Sequence, residues 1–259
     1  MKNNLVSSEE EGRALIMEGR IRAGGRIVSK PGDILPVDSK IEIIPKQPYV
    51  SRGGYKLEGA FKDFGLSAKN KTAVDIGSST GGFTDYLLIN GAKRVIAIDV
   101  GYGLLSCKLR NSEKVEVLER TNIRNLDSSR LKYHADLAVA DVSFISIKKI
   151  LSKIIDIIAP DASILLLVKP QFELRREDVK HKGIVKEKQL HIKALAGIVE
   201  FLESVRVFIK GIAFSRIKGT KGNIEFWIYL RKSTNSTKSK LNYDKIIGDV
   251  VNEAHLFFS

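Results

Sequence analysis

Val74-Asp75-Ile76-Gly77-Ser78-Ser79-Thr80-Gly81-Gly82-Phe83-Thr84 is the stretch on which the fold turns. The apolar run from Thr72 to Ile76 has the length of a strand, and the glycine-rich turn after it opens into a helix-forming segment over Gly82 to Asn90. Strand, glycine turn and helix in that order begin a βαβ unit. Glycines at such a turn let the backbone come close to a ligand. The spacing here is G-x-x-x-G-G, which differs from the dinucleotide fingerprint G-x-G-x-x-G.

That difference is chemical. A dinucleotide has a pyrophosphate to be cradled at the turn, whereas S-adenosylmethionine has none and needs polar neighbours for its methionine end. Asp75 is expected to accept from the ligand's ammonium group. Gly77, Ser78, Gly81, Gly82 and Phe83 are expected to form the turn around it. Asp99 closes the next strand, where an acid suits the ribose hydroxyls of an adenosyl group. Asn122, past the third strand, could read the adenine edge or serve as a turn residue.

Working outward, strands are expected over Arg94–Asp99, Val115–Leu118, Leu137–Asp141, Ser163–Lys169, Arg206–Phe214 and Asn223–Leu230. Helices are expected over Ile147–Ile158 and Glu187–Ser204. The alternation predicts an α/β, doubly wound, mostly parallel seven-stranded sheet, with the last two strands antiparallel. Upstream, Ser8 and Glu11 fit a capping box, Gly19 a helix stop, and Ile41 to Ile43 a half-buried strand. Pro45 and Pro48 then punctuate the chain. The expected organisation is a small α+β module at 1–47, the larger domain at 48–230, and a polar linker with a short terminal helix at 231–259.

The chain has 259 residues, 43 of them basic and 30 acidic, for a net charge of +13. Eight basic and seven acidic groups fall in the first 48 residues, so +12 lies beyond them. A larger domain this basic suggests a polyanionic partner. The single cysteine, Cys107, forms no internal disulfide. No apolar run approaches the roughly 20 residues of a membrane span, and no signal-peptide pattern opens the chain, so the expected setting is the cytoplasm, with no stable membrane association. His181, His191 and His255 are read as surface groups and His134 as a loop residue. None has metal-ligand spacing, and no metal is expected.

Several longer segments are less anonymous. Tyr49-Val50-Ser51-Arg52-Gly53-Gly54-Tyr55-Lys56-Leu57, the glycine turn itself, Asp99-Val100-Gly101-Tyr102-Gly103, Asp141-Val142-Ser143-Phe144-Ile145-Ser146, Val168-Lys169-Pro170-Gln171-Phe172-Glu173 and Lys221-Gly222-Asn223-Ile224-Glu225-Phe226 closely resemble the TlyA family, in that order along the chain. Proteins of that family are FtsJ-like ribose 2′-O-methyltransferases with an N-terminal S4 domain. The resemblance implies a Rossmann-like, FtsJ-like methyltransferase domain at 48–230, a shortened S4-like RNA-binding module at 1–47 and S-adenosylmethionine as cofactor. It implies a Lys-Asp-Lys-Glu catalytic tetrad at Lys56, Asp141, Lys169 and Glu225. The implied substrate is rRNA, free or within ribosomal subunits, with cytidine in 16S or 23S rRNA typical. Another structured RNA, or the membrane-active haemolysin role whose name the family also carries, are the competing readings.

The chemistry of those residues agrees. A ribose 2′-hydroxyl is a poor nucleophile and must lose its proton near the moment of methyl transfer. A lysine takes that proton only if burial or a second cation lowers its pKa. Lys169 is the expected base, tuned by Lys56, with Asp141 and Glu225 orienting the lysines or the ribose. Arg52, Arg175, Arg176, Arg216, Lys218 and Lys221 flank these segments and are the expected phosphate contacts.

Overall fold

The computed structural model describes residues 5–17, 19–28, 30–45, 48–179, 183–205, 207–232 and 242–259. It divides into two units, Met1–Pro48 and Tyr49–Ser259.

In the first unit, helix α1 (Glu9–Met17) precedes strands β1 (Ile21–Ala23), β2 (Arg26–Val28) and β3 (Ile41–Ile43). The strands form one antiparallel sheet in the order β2-β1-β3. Ser8 Oγ accepts from Glu11 N at 3.1 Å, and Glu11 reaches back to Ser7 N at 2.8 Å, so the capping exchange spans two serines. Leu15, Ile21, Ala23 and Val28 make a small core of its own.

The second unit holds helices α2 (Arg52–Asp63), α3 (Gly82–Ile89), α4 (Cys107–Arg110), α5 (Leu151–Asp156), α6 (Pro170–Glu173), α7 (Lys188–Glu203) and α8 (Tyr243–Phe257). Its strands are β4 (Thr72–Ile76), β5 (Arg94–Ile98), β6 (Val115–Leu118), β7 (Ala135–Ala140), β8 (Ile158–Val168), β9 (Val207–Phe214) and β10 (Phe226–Lys232). They form one seven-stranded sheet in the order β6-β5-β4-β7-β8-β10-β9. The first five are parallel; β10 runs antiparallel to both β8 and β9. This is the expected Rossmann-like α/β architecture. Strand order reverses beside β4, the switch point at which sheets of this kind leave a crevice outside the carboxyl ends of their strands, here those of β4 and β7.

Apolar side chains cover both sheet faces. Val74, Ile76, Ile96, Leu166 and Phe226 face one core, and Ala73, Val95, Val139, Leu165 and Trp227 the other. Strands buried on both faces read as continuous apolar runs, which is why β4, β5, β7 and β8 stood out in sequence.

Three local expectations change. The segment 147–158 is not one helix: Ser146 caps a single 3-10 turn at Ile147–Lys149, α5 ends at Asp156, and β8 begins at Ile158. The last strand begins at Phe226 rather than Asn223, because the Asn223 side chain turns away to bond Val185 N and Gly183 O. It also runs through Arg231 and Lys232, which were expected in the linker. Arg231 binds Asp161 O, and Lys232 Nζ caps Ile155 O and Ile158 O. The rest of that expected linker, 233–241, lies outside the described residues.

Helix α2 had no sequence expectation, since Gly53, Gly54 and Gly59 disfavour helix. Two of these glycines serve close packing. A Cβ on Gly54 would strike the Tyr49 ring, and Gly53 lies against Phe83 and Gly82 of α3. The apolar spacing Leu57, Ala60, Phe61 was the available signal.

Candidate functional site

The glycine turn leaves β4 at the crevice. Gly77 has φ +81°, and a Cβ there would run into the Asp141 carbonyl oxygen at the end of β7. Gly77 N and Ser78 N both donate to Ile98 O, at 2.8 and 3.2 Å, which ties the turn to β5. Asp99 follows β5. One carboxylate oxygen accepts from Ser79 N at 2.8 Å and the other from Gly101 N at 2.7 Å. Asn122 caps the 3-10 turn Ile123–Asn125 through Arg124 N at 3.1 Å. Gly77, Ser79, Asp99 and Asn122 line one open cleft of about 790 Å³, together with Leu104, Val142, Phe144 and Phe172.

Not every residue of the turn faces that cleft. Asp75 is 0% exposed and lines neither cleft at the site. One of its oxygens accepts from Thr84 N at 3.0 Å and Thr84 Oγ1 at 2.7 Å, so it pins the first turn of α3 instead of reaching a ligand's ammonium. Its other oxygen is buried without a hydrogen-bond partner. Burial, with the nearby Asp141 charge adding to it and the Thr84 bonds opposing, raises its carboxyl to about 7. Gly81 lines neither cleft; with φ +95°, it lets Leu105 and Leu109 pack onto the helix start. Ser78, Gly82 and Phe83 line the second cleft, not the first.

The second cleft, of about 340 Å³, brings together Lys56, Asp141, Lys169 and Glu225. These residues come from α2 and from the carboxyl ends of β7 and β8, with Glu225 just ahead of β10. Lys56 Nζ donates to Glu225 Oε2 at 2.6 Å, and the two side chains are 11% and 3% exposed. Lys169 Nζ lies 2.5 Å from Asp141 Oδ1, an ion pair off the hydrogen-bond direction, and donates to Ser143 Oγ at 2.8 Å. Burial pushes the Glu225 carboxyl up from its ordinary value against the opposing pull of Lys56. The two clefts share Gly77, Ser79 and Asp141, so the Lys169–Asp141 pair stands where one opens into the other, while Lys56 and Glu225 line the second cleft alone.

The basic residues divide. Arg52 and Lys218 line the second cleft and meet there, Arg52 donating to Lys218 O at 3.1 Å; Lys218 Nζ also lies 4.6 Å from the Phe258 ring centroid. Arg216 is paired with Asp63 at 2.8 Å. Lys221 and Arg176 are exposed. Arg175 stands 3.5 Å from Glu177 and borders a different cavity, beside α7 and α8. Sequence reasoning missed Ser79, Ser143, Phe144 and Phe172. All four lie within segments already singled out, but only folding shows which way they face. His191 corrects an expectation too. It is 0% exposed, with Nδ1 2.9 Å from His255 Nε2, and burial lowers it to about 4. His181 lies outside the described residues.

Residues 49–232 match the FtsJ-like methyltransferase family. The chain is 34% identical to the 16S/23S rRNA (cytidine-2'-O)-methyltransferase TlyA of Mycobacterium tuberculosis, over 98% of this chain and 95% of that one. It is 39% identical to Hemolysin A of Brachyspira hyodysenteriae, over 85% of this chain and 92% of that one. A solved structure of a hemolysin candidate from Streptococcus thermophilus superposes with a TM-score of 0.79 at 37% identity, covering 99% of this chain and 94% of its own. A glycine turn at a β4/β7 crevice, two lysine–carboxylate pairs at its mouth and likeness along nearly the whole length place this chain in the FtsJ-like methyltransferase family, alongside the TlyA proteins.

Proposed function

We propose that this protein transfers a methyl group from S-adenosylmethionine to a ribose 2′-hydroxyl of ribosomal RNA, with cytidine as the target. The observation that carries the reading is the second cleft, where both lysine–carboxylate pairs meet the glycine turn and Asp141 borders the larger cleft as well. The relative from M. tuberculosis bears the name of the same reaction.

The larger cleft fits the cofactor. Gly77, bare of a Cβ, lets the turn pack directly against the Asp141 carbonyl in the cleft wall, and Asp99 at the end of β5 offers a carboxylate to ribose hydroxyls. Gly77, Ser79, Asp99 and Asn122 would hold the group, which supplies a methyl carried on a sulfonium sulfur. Lys169, kept in place by Asp141 and Ser143, is the general base and in its neutral form takes the 2′-hydroxyl proton onto Nζ. Lys56, held by Glu225, donates to the hydroxyl oxygen and fixes its position. Direct displacement needs oxygen, carbon and sulfur in line, so alignment supplies much of the acceleration. Arg52 and Lys218 at the mouth take phosphates, with Lys221, Arg176, Arg175 and Arg216 extending the basic surface. The first 47 residues serve as a shortened S4-like module. Among the described residues no helix is long and apolar enough to cross a membrane.

Incubation with labelled S-adenosylmethionine and rRNA, followed by digestion to nucleosides, tests the reading. The expected product is 2′-O-methylcytidine, and Lys169→Ala should lower the rate at least about 100-fold while S-adenosylhomocysteine still binds. A base-methylated nucleoside, or full activity in Lys169→Ala, overturns it.

A further inference from the structure

Glu173 ends α6, four residues beyond Lys169, and has no part in the roles assigned above. Its Oε2 accepts from Ser146 Oγ at 2.6 Å and its Oε1 from Ile147 N at 2.8 Å. Ser146 Oγ accepts in turn from Lys148 N at 3.2 Å, so its one proton is committed to Glu173. These bonds join the segment after β7 to the segment after β8. Lys169 makes the other tie between the same two segments, through Asp141 and Ser143.

The stretch between the ties does not rest in an easy conformation. Phe144 has φ +64°, which a bulky side chain seldom adopts, and it is 90% exposed with its ring centroid 5.1 Å from that of Phe172. Such a backbone persists only where its surroundings hold it. Ser143 meets Lys169, and Val142 through Ser146 wall the larger cleft, so the held stretch touches both the base and the cofactor site.

We propose that Glu173 is a positioning residue for methyl transfer. It clamps Ser146 and Ile147, so that Ser143 stays on Lys169 and the wall of the larger cleft keeps its shape. This rests on the methyl-transfer reading above. The carboxylate is the group suited to the task, because it can accept from both donors at once, whereas an amide offers one oxygen.

Three variants test it: Glu173→Ala, Glu173→Gln and Ser146→Ala, with the double variant Ser146→Ala/Glu173→Ala. In Glu173→Ala, kcat should fall about 100-fold, the scale of a misplacement of about 1 Å. S-adenosylhomocysteine should bind more weakly by titration calorimetry. The Ile147 amide should lose its hydrogen-exchange protection while amides in β4 and β8 keep theirs. Glu173→Gln should fall between wild type and alanine. The double variant should be no worse than Glu173→Ala, because both changes break one connection. Should Glu173→Ala not fold, Glu173→Gln and Ser146→Ala carry the same comparison. Wild-type kcat and cofactor affinity in the folded variants, or additive losses in the double variant, overturn the proposal. A wild-type protein that methylates no RNA overturns the reading beneath it. The binding and exchange measurements separate the two failures, since they need no RNA.

Discussion

Replacing Lys56 with alanine should destabilise the larger unit most at high pH and less as pH falls. Lys56 is the 2.6 Å partner of Glu225, a carboxylate only 3% exposed. Removing one member of a buried pair leaves the other uncompensated, at about 3–5 kcal/mol. In a domain of roughly 200 residues, each kcal/mol moves Tm by about 2–4 °C, so the expected drop at pH 8 is on the order of 10 °C. Glu225 already has its pKa raised by burial, with Lys56 the largest opposing influence. Without Lys56 it titrates higher still. A carboxyl whose folded pKa lies above its unfolded value stabilises the fold when protonated, and that contribution disappears as pH rises through the folded pKa. The deficit should therefore shrink by up to about 1.4 kcal/mol for each pH unit descended through that range. Urea unfolding of wild type and variant at several values between pH 5 and 8.5 measures it. Lys56→Ala/Glu225→Gln should recover most of the loss at pH 8. An equal deficit at every pH, with no recovery in the double variant, would refute the reasoning.

Asp75 offers a second pH test. Its folded pKa of about 7 exceeds the ordinary 3.8, so wild-type stability should fall as pH rises from 4 to 8, by at most roughly 4 kcal/mol relative to Asp75→Asn; a difference between the two proteins that stays flat with pH would rule this out. Gly77→Ala should abolish S-adenosylhomocysteine binding in calorimetry, because the new methyl meets the Asp141 carbonyl in a backbone conformation with φ +81°; unchanged affinity would contradict the placement of the turn. For RNA, replacing Arg52, Lys218 and Lys221 with alanine should lower the slope of log K against log salt by about two to three. Arg216, occupied by Asp63, should contribute less, and an Arg216→Ala slope change as large as that of Lys221→Ala would show that this ion pair opens on RNA.

Much of this protein was legible as a string. Apolar runs such as Ile164–Val168 mark strands buried on both faces, because a parallel sheet covered by helices needs no alternation. The turn Gly77–Gly82 announces a strand-to-helix crevice, because Gly77 and Gly81 take positive φ and a Cβ on either, or on Gly82, would strike its neighbours. Lys169 and Asp141 stand at predicted strand ends, where such folds place their chemistry. Helix α2 was hidden, because glycines that lower helix propensity are there for contacts with Tyr49 and with α3, and propensity says nothing of neighbours. The pairing of Lys56 with Glu225 spans 169 residues of sequence and follows from the antiparallel insertion of β10 beside β8. Asp75 lay in the right motif but faces Thr84 instead of the cleft, and Glu173 lay in a quoted segment with no visible task until Ser146 came within reach. Local composition determined which segments are strands, which turn is open and which residue types are available to react. Which side chains face the same cavity depends on sheet order and on a few degrees of backbone rotation, and those are set by packing across the whole unit.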